Sequence, residues 1–161
     1  MFIFVVYKPV NMKTVIFDLD GTLALIDQRR LLSTKSDGKI DWDVFFDPKN
    51  IDLDQPNTAV IQMAKVLKDS GHTIAILSGR SVGTLNATIA WLKAHDVPFD
   101  IIKMRPLDKM FMPDDKLKQG WLDQHFPDKS DILCVFDDRQ KVVDMWRNNG
   151  ISCFQVAPGN F

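Results

Sequence analysis

Short apolar runs, alternating with segments of helical spacing, decide what this chain of 161 residues can fold into. KTVIFD, HTIAIL, FDIIKM, DILCVF and SCFQVA are rich in apolar and β-branched residues and are bounded by polar or turn-forming ones. Between the first two, Ala59, Val60, Met63, Ala64, Val66 and Leu67 recur at helical spacing, and DSG stops that helix at Gly71. Val82, Leu85, Ile89 and Leu92 mark a second helix and Leu117, Trp121 and Leu122 a third. Val142, Val143 and Trp146 mark a fourth, stopped near Gly150. Strands alternating with helices of about 10 to 15 residues predict βαβ units and a parallel sheet. Near-continuous apolar strands fit a sheet covered on both faces. The expected fold class is α/β, a doubly wound parallel sheet, and the length suits a single domain.

Ligands of such sheets sit beyond the carboxyl ends of the strands. The first run ends in Asp18 and Asp20, within TVIFDLDGTL; the second ends in Ser78, Gly79 and Arg80; the fourth ends in Asp137, Asp138 and Arg139. Carboxylates gathered on one rim repel one another unless a cation lies among them or one does chemistry. Hard oxygen donors with no Cys or His beside them favour Mg²⁺ over zinc. One carboxylate can then attack phosphorus while a neighbour handles the proton of the leaving oxygen. The Ser78 hydroxyl, and amides of a helix expected to start after Gly79, can hold phosphate oxygens. A lysine, Lys116 or Lys118, would complete the charge balance.

Taken singly, each piece has an ordinary reading: DLDG as a turn or cap, LSGR as a helix start, FDDR as a solvated strand end. A calcium loop is excluded, because its sixth and twelfth positions hold Leu23 and Arg29 in place of Gly and Glu. His72, His95 and His125 are scattered without metal-ligand spacing and are expected to be partly exposed. Trp42, Trp91, Trp121 and Trp146 fit packing better than base stacking. Cys134 and Cys153 lie in strand-like runs and are expected as buried thiols in a reducing compartment, with a disulfide as the alternative. A net charge of −1 gives no sign of a broadly cationic nucleic-acid surface. The run from Phe2 to Tyr7 is too short to span a bilayer and lacks the features of a signal peptide. It is expected to be an added edge strand, or residues ahead of a natural start at Met12. No membrane association is expected, and the cytoplasm is the expected location.

Together, DLDGTL, LSGR, a downstream lysine and DD resemble the four motifs of the haloacid dehalogenase superfamily of phosphotransferases. FDLDGTLALIDQR, PDDKLK and FDDRQKVVDMWRNNGISCFQVAPGNF are further similar to the phosphatase domain of phage-type polynucleotide kinase–phosphatases. The resemblance runs from 12 to 161 and is weakest from Leu31 to Gln55. It implies a phosphatase core over 12–161, a short cap insert over 24–57 and an N-terminal extension over 1–11, in the host cytoplasm if a phage encodes it. It implies Asp18 as the nucleophile that forms an aspartyl-phosphate, and Asp20 as general acid and base with its backbone carbonyl on Mg²⁺. Thr22 and Ser78, with Gly79 beside them, would hold phosphate oxygens, and Arg80 and Arg29 would face the substrate phosphate. Lys118 would be the motif lysine, Lys116 a decoy on the opposite helix face and Asp114 a supporting acid. Asp138 would ligate Mg²⁺, with Asp137 beside it.

The chain has no GxxxxGK[ST] phosphate loop, so no kinase half is expected in it. The leading expectation is a Mg²⁺-dependent phosphomonoesterase acting on nucleic-acid 3′-phosphate ends, with a nucleoside monophosphatase as the alternative. A non-catalytic phospho-receiver would place its phosphorylated Asp on a middle strand, where this chain has Ser78. A silent binding subunit would not need the full set of catalytic residues. Oligomeric state is left open.

Overall fold

A computed structural model describes residues 11–159. The edge strand expected at 2–7 lies outside the described residues. β1 (Thr14–Phe17) is followed by β2 (Ala24–Leu25), α1 (Asp27–Leu32), α2 (Trp42–Phe45) and β3 (Gln55–Pro56). Next come α3 (Thr58–Asp69), β4 (Thr73–Ser81), α4 (Leu85–Ala94) and β5 (Ile101–Arg105). The chain continues through α5 (Asp114–His125), β6 (Ile132–Asp137), α6 (Gln140–Asn148) and β7 (Cys153–Gln155). Five strands form one sheet in the order β5-β4-β1-β6-β7, every pairing parallel, as expected of the doubly wound α/β class.

The two-residue period of a strand splits the core into two layers. Val15 and Phe17 of β1 pack with Val60, Ile61 and Ala64 of α3 and with Trp91 and Leu92 of α4. Ile16 points the other way, to Leu117, Trp121 and Leu122 of α5 and Val142, Val143 and Trp146 of α6. The same alternation places Cys134 in the first layer and Cys153 in the second, on opposite faces of the sheet, and both are free thiols. The disulfide alternative is thereby excluded. Burial pushes the two thiols up to about 11 and about 12.

From β1 the chain winds outward to β4 and β5, then returns to the other side of β1 as β6. The winding therefore reverses between β1 and β6, which is where such sheets open a crevice at their carboxyl ends. Asp18 and the Asp137–Asp138 pair end those two strands, and the Asp18 amide donates to the Phe136 carbonyl at 2.9 Å.

Three details differ from expectation. The buried stripe of α3 is Val60, Ile61 and Ala64, whereas Met63 and Val66 are about half exposed. β4 runs past Ser78 to Ser81, with a register shift against β5, and α4 starts only at Leu85. The amides directly after Gly79 therefore belong to the strand, and a 3₁₀ turn at Val82–Thr84 leads into α4. His72, expected near the surface, is buried with its Nδ1 3.2 Å from the Lys13 amide. The polar stretch from Asp27 to Asn57 is ordered by α1, α2 and a 3₁₀ turn at Pro48–Leu53, and the antiparallel β2–β3 pair closes its base. Among the described residues no helix is long and apolar enough to cross a membrane.

Candidate active site

Asp18 and Asp20 belong to two separate groups of charges. Asp18 is 6% exposed, and its Oδ1 accepts from Lys118 Nζ at 2.6 Å. Lys118 Nζ also donates to Asp137 Oδ2 at 2.8 Å, and the Trp146 indole donates to the same oxygen at 3.3 Å. Asp137 Oδ1 accepts from the Asp138 amide at 3.0 Å, which fixes the turn out of β6. Oxygens of Asp18, Asp137 and Asp138 lie within 4.8 Å of one another. Three carboxylates face one ammonium here, leaving two negative charges.

Burial drives the Asp18 carboxyl well above its usual range; Lys118 opposes this, and Asp137 and Asp138 add to it. Burial and the Asp137 charge likewise push Asp138 up to about 6. Burial would lower the Lys118 ammonium, yet Asp137 and Asp18 hold it above its ordinary value. A divalent cation would balance the remaining charge, and an all-oxygen donor set suits a hard one. Asp18, Asp137 and Asp138 could hold it. Gly21 lets this cluster close. Its φ is +86°, and a Cβ there would collide with the Asp138 carboxylate.

Asp20 faces away from that cluster. Its Oδ1 accepts from Arg29 Nη2 at 2.7 Å and from the Nε and Nη2 of Arg80. Behind it lies Asp54, which accepts from Arg29 Nε at 2.8 Å, Arg29 Nη2 at 3.0 Å and Arg80 Nη2 at 2.8 Å. The side chains of both arginines and of Asp54 are wholly buried, while Asp20 keeps a fifth of its surface open. Two guanidinium groups thus meet two carboxylates, a neutral arrangement. Burial alone would raise the Asp20 carboxyl, but Arg80 and Arg29 overcome that and hold it below its usual range. The Phe45 ring lies 4.3 Å from Arg29 Cζ and its carbonyl accepts from Nη1, so the insert braces this group. Arg29 and Arg80, expected to face the substrate phosphate, have their guanidinium groups engaged with Asp20 and Asp54.

Thr22 Oγ1 is the one buried side-chain polar atom without a hydrogen-bond partner among the described residues. A buried hydroxyl left so is costly unless a ligand completes it. Ser78 Oγ accepts from the Arg80 amide at 3.1 Å, and its own proton remains to donate. Gly79 is crowded on its other side: a Cβ would stand 2.5 Å from Asp114 Oδ1, and its carbonyl accepts from Arg105 Nε at 2.8 Å. Asp114 opens α5 one turn before Lys118, so both face the sheet. It is gripped by Arg105 and by Arg139. Lys116, on the other face, is 74% exposed.

Sequence reasoning missed Asp54, Arg105 and Trp146 as parts of the site. A signal for Asp54 existed: two arginines converging on one carboxylate need a second counter-charge. Its position between a 3₁₀ turn and a two-residue strand carries no periodic pattern that would have pointed to it.

A doubly wound sheet with acids at its switch point, a lysine one turn into a following helix and a buried hydroxyl without a partner among the described residues defines a phosphatase of the haloacid dehalogenase superfamily. A profile of the polynucleotide kinase PNKP phosphatase domain matches residues 12–161, and the chain belongs to that family. A protein of Autographa californica nuclear polyhedrosis virus, named as a bifunctional polynucleotide kinase/RNA ligase, is 32% identical over 148 residues. That match covers 88% of this chain and 19% of the viral protein. A chain in the structure of the Pnkp1/Rnl/Hen1 complex superposes with a TM-score of 0.75 at 30% identity, over 94% of this chain and 48% of that one. The chain thus spans about half or less of these longer relatives. A phosphatase of Clostridium acetobutylicum shares the fold at 16% identity, with a TM-score of 0.71 over 90% of this chain and 85% of its own.

Proposed function

We propose that this chain is a Mg²⁺-dependent phosphomonoesterase that forms an aspartyl-phosphate on Asp18 and acts on nucleic-acid 3′-phosphate ends. The observation that carries the reading is the Asp18–Lys118–Asp137–Asp138 cluster, over-supplied with negative charge at the switch point. Mg²⁺ held by Asp18, Asp137 and Asp138 would offset their repulsion and polarise the substrate phosphate.

Lys118 orients Asp18 through its Oδ1, and Thr22 and Ser78 donate to phosphate oxygens. An Asp18 oxygen attacks phosphorus, the bond to the leaving hydroxyl breaks, and Asp20 supplies the proton that oxygen needs. Asp20 then takes a proton from water, whose oxygen attacks phosphorus and frees Asp18. The arginine grip favours the carboxylate form of Asp20, so the proton it delivers has to be taken up from solvent before the first step, and the carboxylate left behind is the form the second step uses. Asp114 anchors the start of α5 and thereby the reach of Lys118. The insert at 24–57 acts as the cap that sets substrate size, and Arg29 ties it to Asp20.

A nucleic-acid substrate is supported by the family and by the viral relative's name, and the 3′ end is what the resemblance of the motifs implies. The near-neutral net charge of −1 favours the second reading, a nucleoside monophosphatase. Phosphate release from a 3′-phosphorylated oligonucleotide, set against 3′- and 5′-mononucleotides with and without EDTA, separates them. Preference for the oligonucleotide end, lost in EDTA, supports the first reading. Preference for mononucleotides supports the second, and release untouched by EDTA refutes the Mg²⁺ role.

A further inference from the structure

We propose that the C-terminal segment from Gln155 to Gly159 is a working part of the cation site, with Gln155 and Gly159 as positioning residues for Asp138. The inference rests on the reading of Asp18, Asp137 and Asp138 as cation ligands.

The turn that carries Asp137 and Asp138 leaves the sheet at its carboxyl edge, where a strand end is otherwise free to move. Here it is fastened at every step. Asp137 pairs with Gln155 in the β6–β7 ladder, and its carbonyl accepts from the Val156 amide at 3.0 Å. The Asp138 carbonyl accepts from Gln155 Nε2 at 3.0 Å, and the same nitrogen lies 3.1 Å from Gln140 Oε1. The Gln140 amide then donates to the Gly159 carbonyl at 3.0 Å. Gly159 also lies so close that a Cβ would enter the space of the Asp138 carbonyl and Arg139 Cα.

Asp138 is therefore held at both ends by glycine backbones. Gly21 lies against its carboxylate and Gly159 against its carbonyl. The carboxylate is aimed at Asp18 from one side only because the peptide behind it cannot retreat on the other. Partners that orient a ligand in this way commonly govern metal affinity by roughly 10- to 100-fold when removed. The segment 155–159 then does more than cover β6: it sets the cation affinity of a site whose ligands lie elsewhere in the sequence.

The test uses the full chain carrying Gln155→Met, which keeps length and volume but removes the donor, and separately Gly159→Ala. Mg²⁺ binding is measured by calorimetric titration and thermal melting, and phosphate release is followed against Mg²⁺ concentration. The expected result is a dissociation constant for Mg²⁺ raised roughly 10- to 100-fold, with the lost rate recovered at high Mg²⁺ and the substrate KM unmoved. An unchanged Mg²⁺ affinity in folded Gln155→Met overturns the proposal, as does a rate loss that Mg²⁺ cannot restore. If Gly159→Ala fails to fold, Gln155→Met alone decides. Wild-type protein that binds no Mg²⁺ overturns the cation reading itself, an outcome distinct from wild-type binding with unaltered variants.

Discussion

Replacing Asp54 with Asn tests whether the charges behind the active site are balanced as the structure has them. The substitution keeps the shape and one acceptor, but removes the negative charge that three arginine nitrogens share at 2.8–3.0 Å. Two wholly buried guanidinium groups would then have Asp20 as their remaining carboxylate among these four groups. Breaking a buried pair by removing one partner costs about 3–5 kcal/mol, because an uncompensated charge stays behind. Domains of this kind are stable by about 5–15 kcal/mol, so the loss is a large share of the total. At about 2–4 °C per kcal/mol for a chain of this size, the melting temperature should fall by roughly 10 °C. Urea unfolding and thermal melting measure this directly. With both arginines turned wholly to Asp20, its carboxyl should be held lower still, so proton delivery weakens and kcat falls more than KM changes. A folded Asp54→Asn protein within about 0.5 kcal/mol of wild type, the range of ordinary surface substitutions, would refute the reasoning.

Asp18→Asn should drop phosphate release to background, a loss on the order of 10⁴ or more as for other nucleophile removals, while circular dichroism shows the fold intact; wild-type turnover in protein confirmed unreverted by mass would sink the mechanism. Asp138→Asn should melt a few degrees higher than wild type in EDTA, since one of three crowded carboxylates is gone, and should lose the upward shift that Mg²⁺ gives wild type. Cys134 and Cys153 should resist a thiol reagent in the native state and react together on unfolding, because their thiols are pushed up to about 11 and about 12; fast native labelling of either contradicts the burial. Asp100 accepts from Lys68 and from the Ile74 amide, and the Lys68 bond, against burial, leaves its carboxyl below the usual range. Its stabilisation is therefore full above the unfolded value of about 3.9 and is lost as pH falls from there through the lower folded value. Asp100→Asn should cost roughly 0.5–1 kcal/mol at pH 7 and progressively less as the pH falls below that unfolded value, a trend that pH-dependent melting reads.

The sheet and its edge chemistry were legible because each signal is local. A buried parallel strand shows as an apolar run whatever it packs against, and the residues that end it are its neighbours in sequence. Lys118 was singled out from Lys116 by the resemblance of PDDKLK to the family motif, and the structure places it one turn after Asp114, with Lys116 on the opposite face of α5. The groups that sequence reading left out depend on contacts across long separations. Asp54 meets Arg29 and Arg80 only once β2 and β3 pair and close the insert. Trp146 passed as a core residue, which it is, while its one polar atom reaches Asp137. The exposed Met63 and Val66 show the reverse error: the α3 stripe is narrower than the apolar residues in it, so composition alone named the wrong neighbours.

The separation of Asp18 from Asp20 explains why two acids can stand one residue apart at the end of a buried strand. Leu19, wholly buried between them, fills the first core layer, and the chain turning around it sends the two carboxylates to different partners. Asp18 enters a group short of positive charge, where, in the proposed mechanism, a cation would offset the neighbouring carboxylates. Asp20 enters a group whose charges already cancel, where its protonation is set by two arginines that no substrate has to supply. In a single shared site any cation that relieved Asp18 would act on Asp20 as well, and the two could not be set independently. Separate electrostatic compartments would, in the proposed mechanism, let one residue be tuned by metal and the other by protein, with Arg29 and Arg80 acting through the Asp20 carboxyl that they hold low.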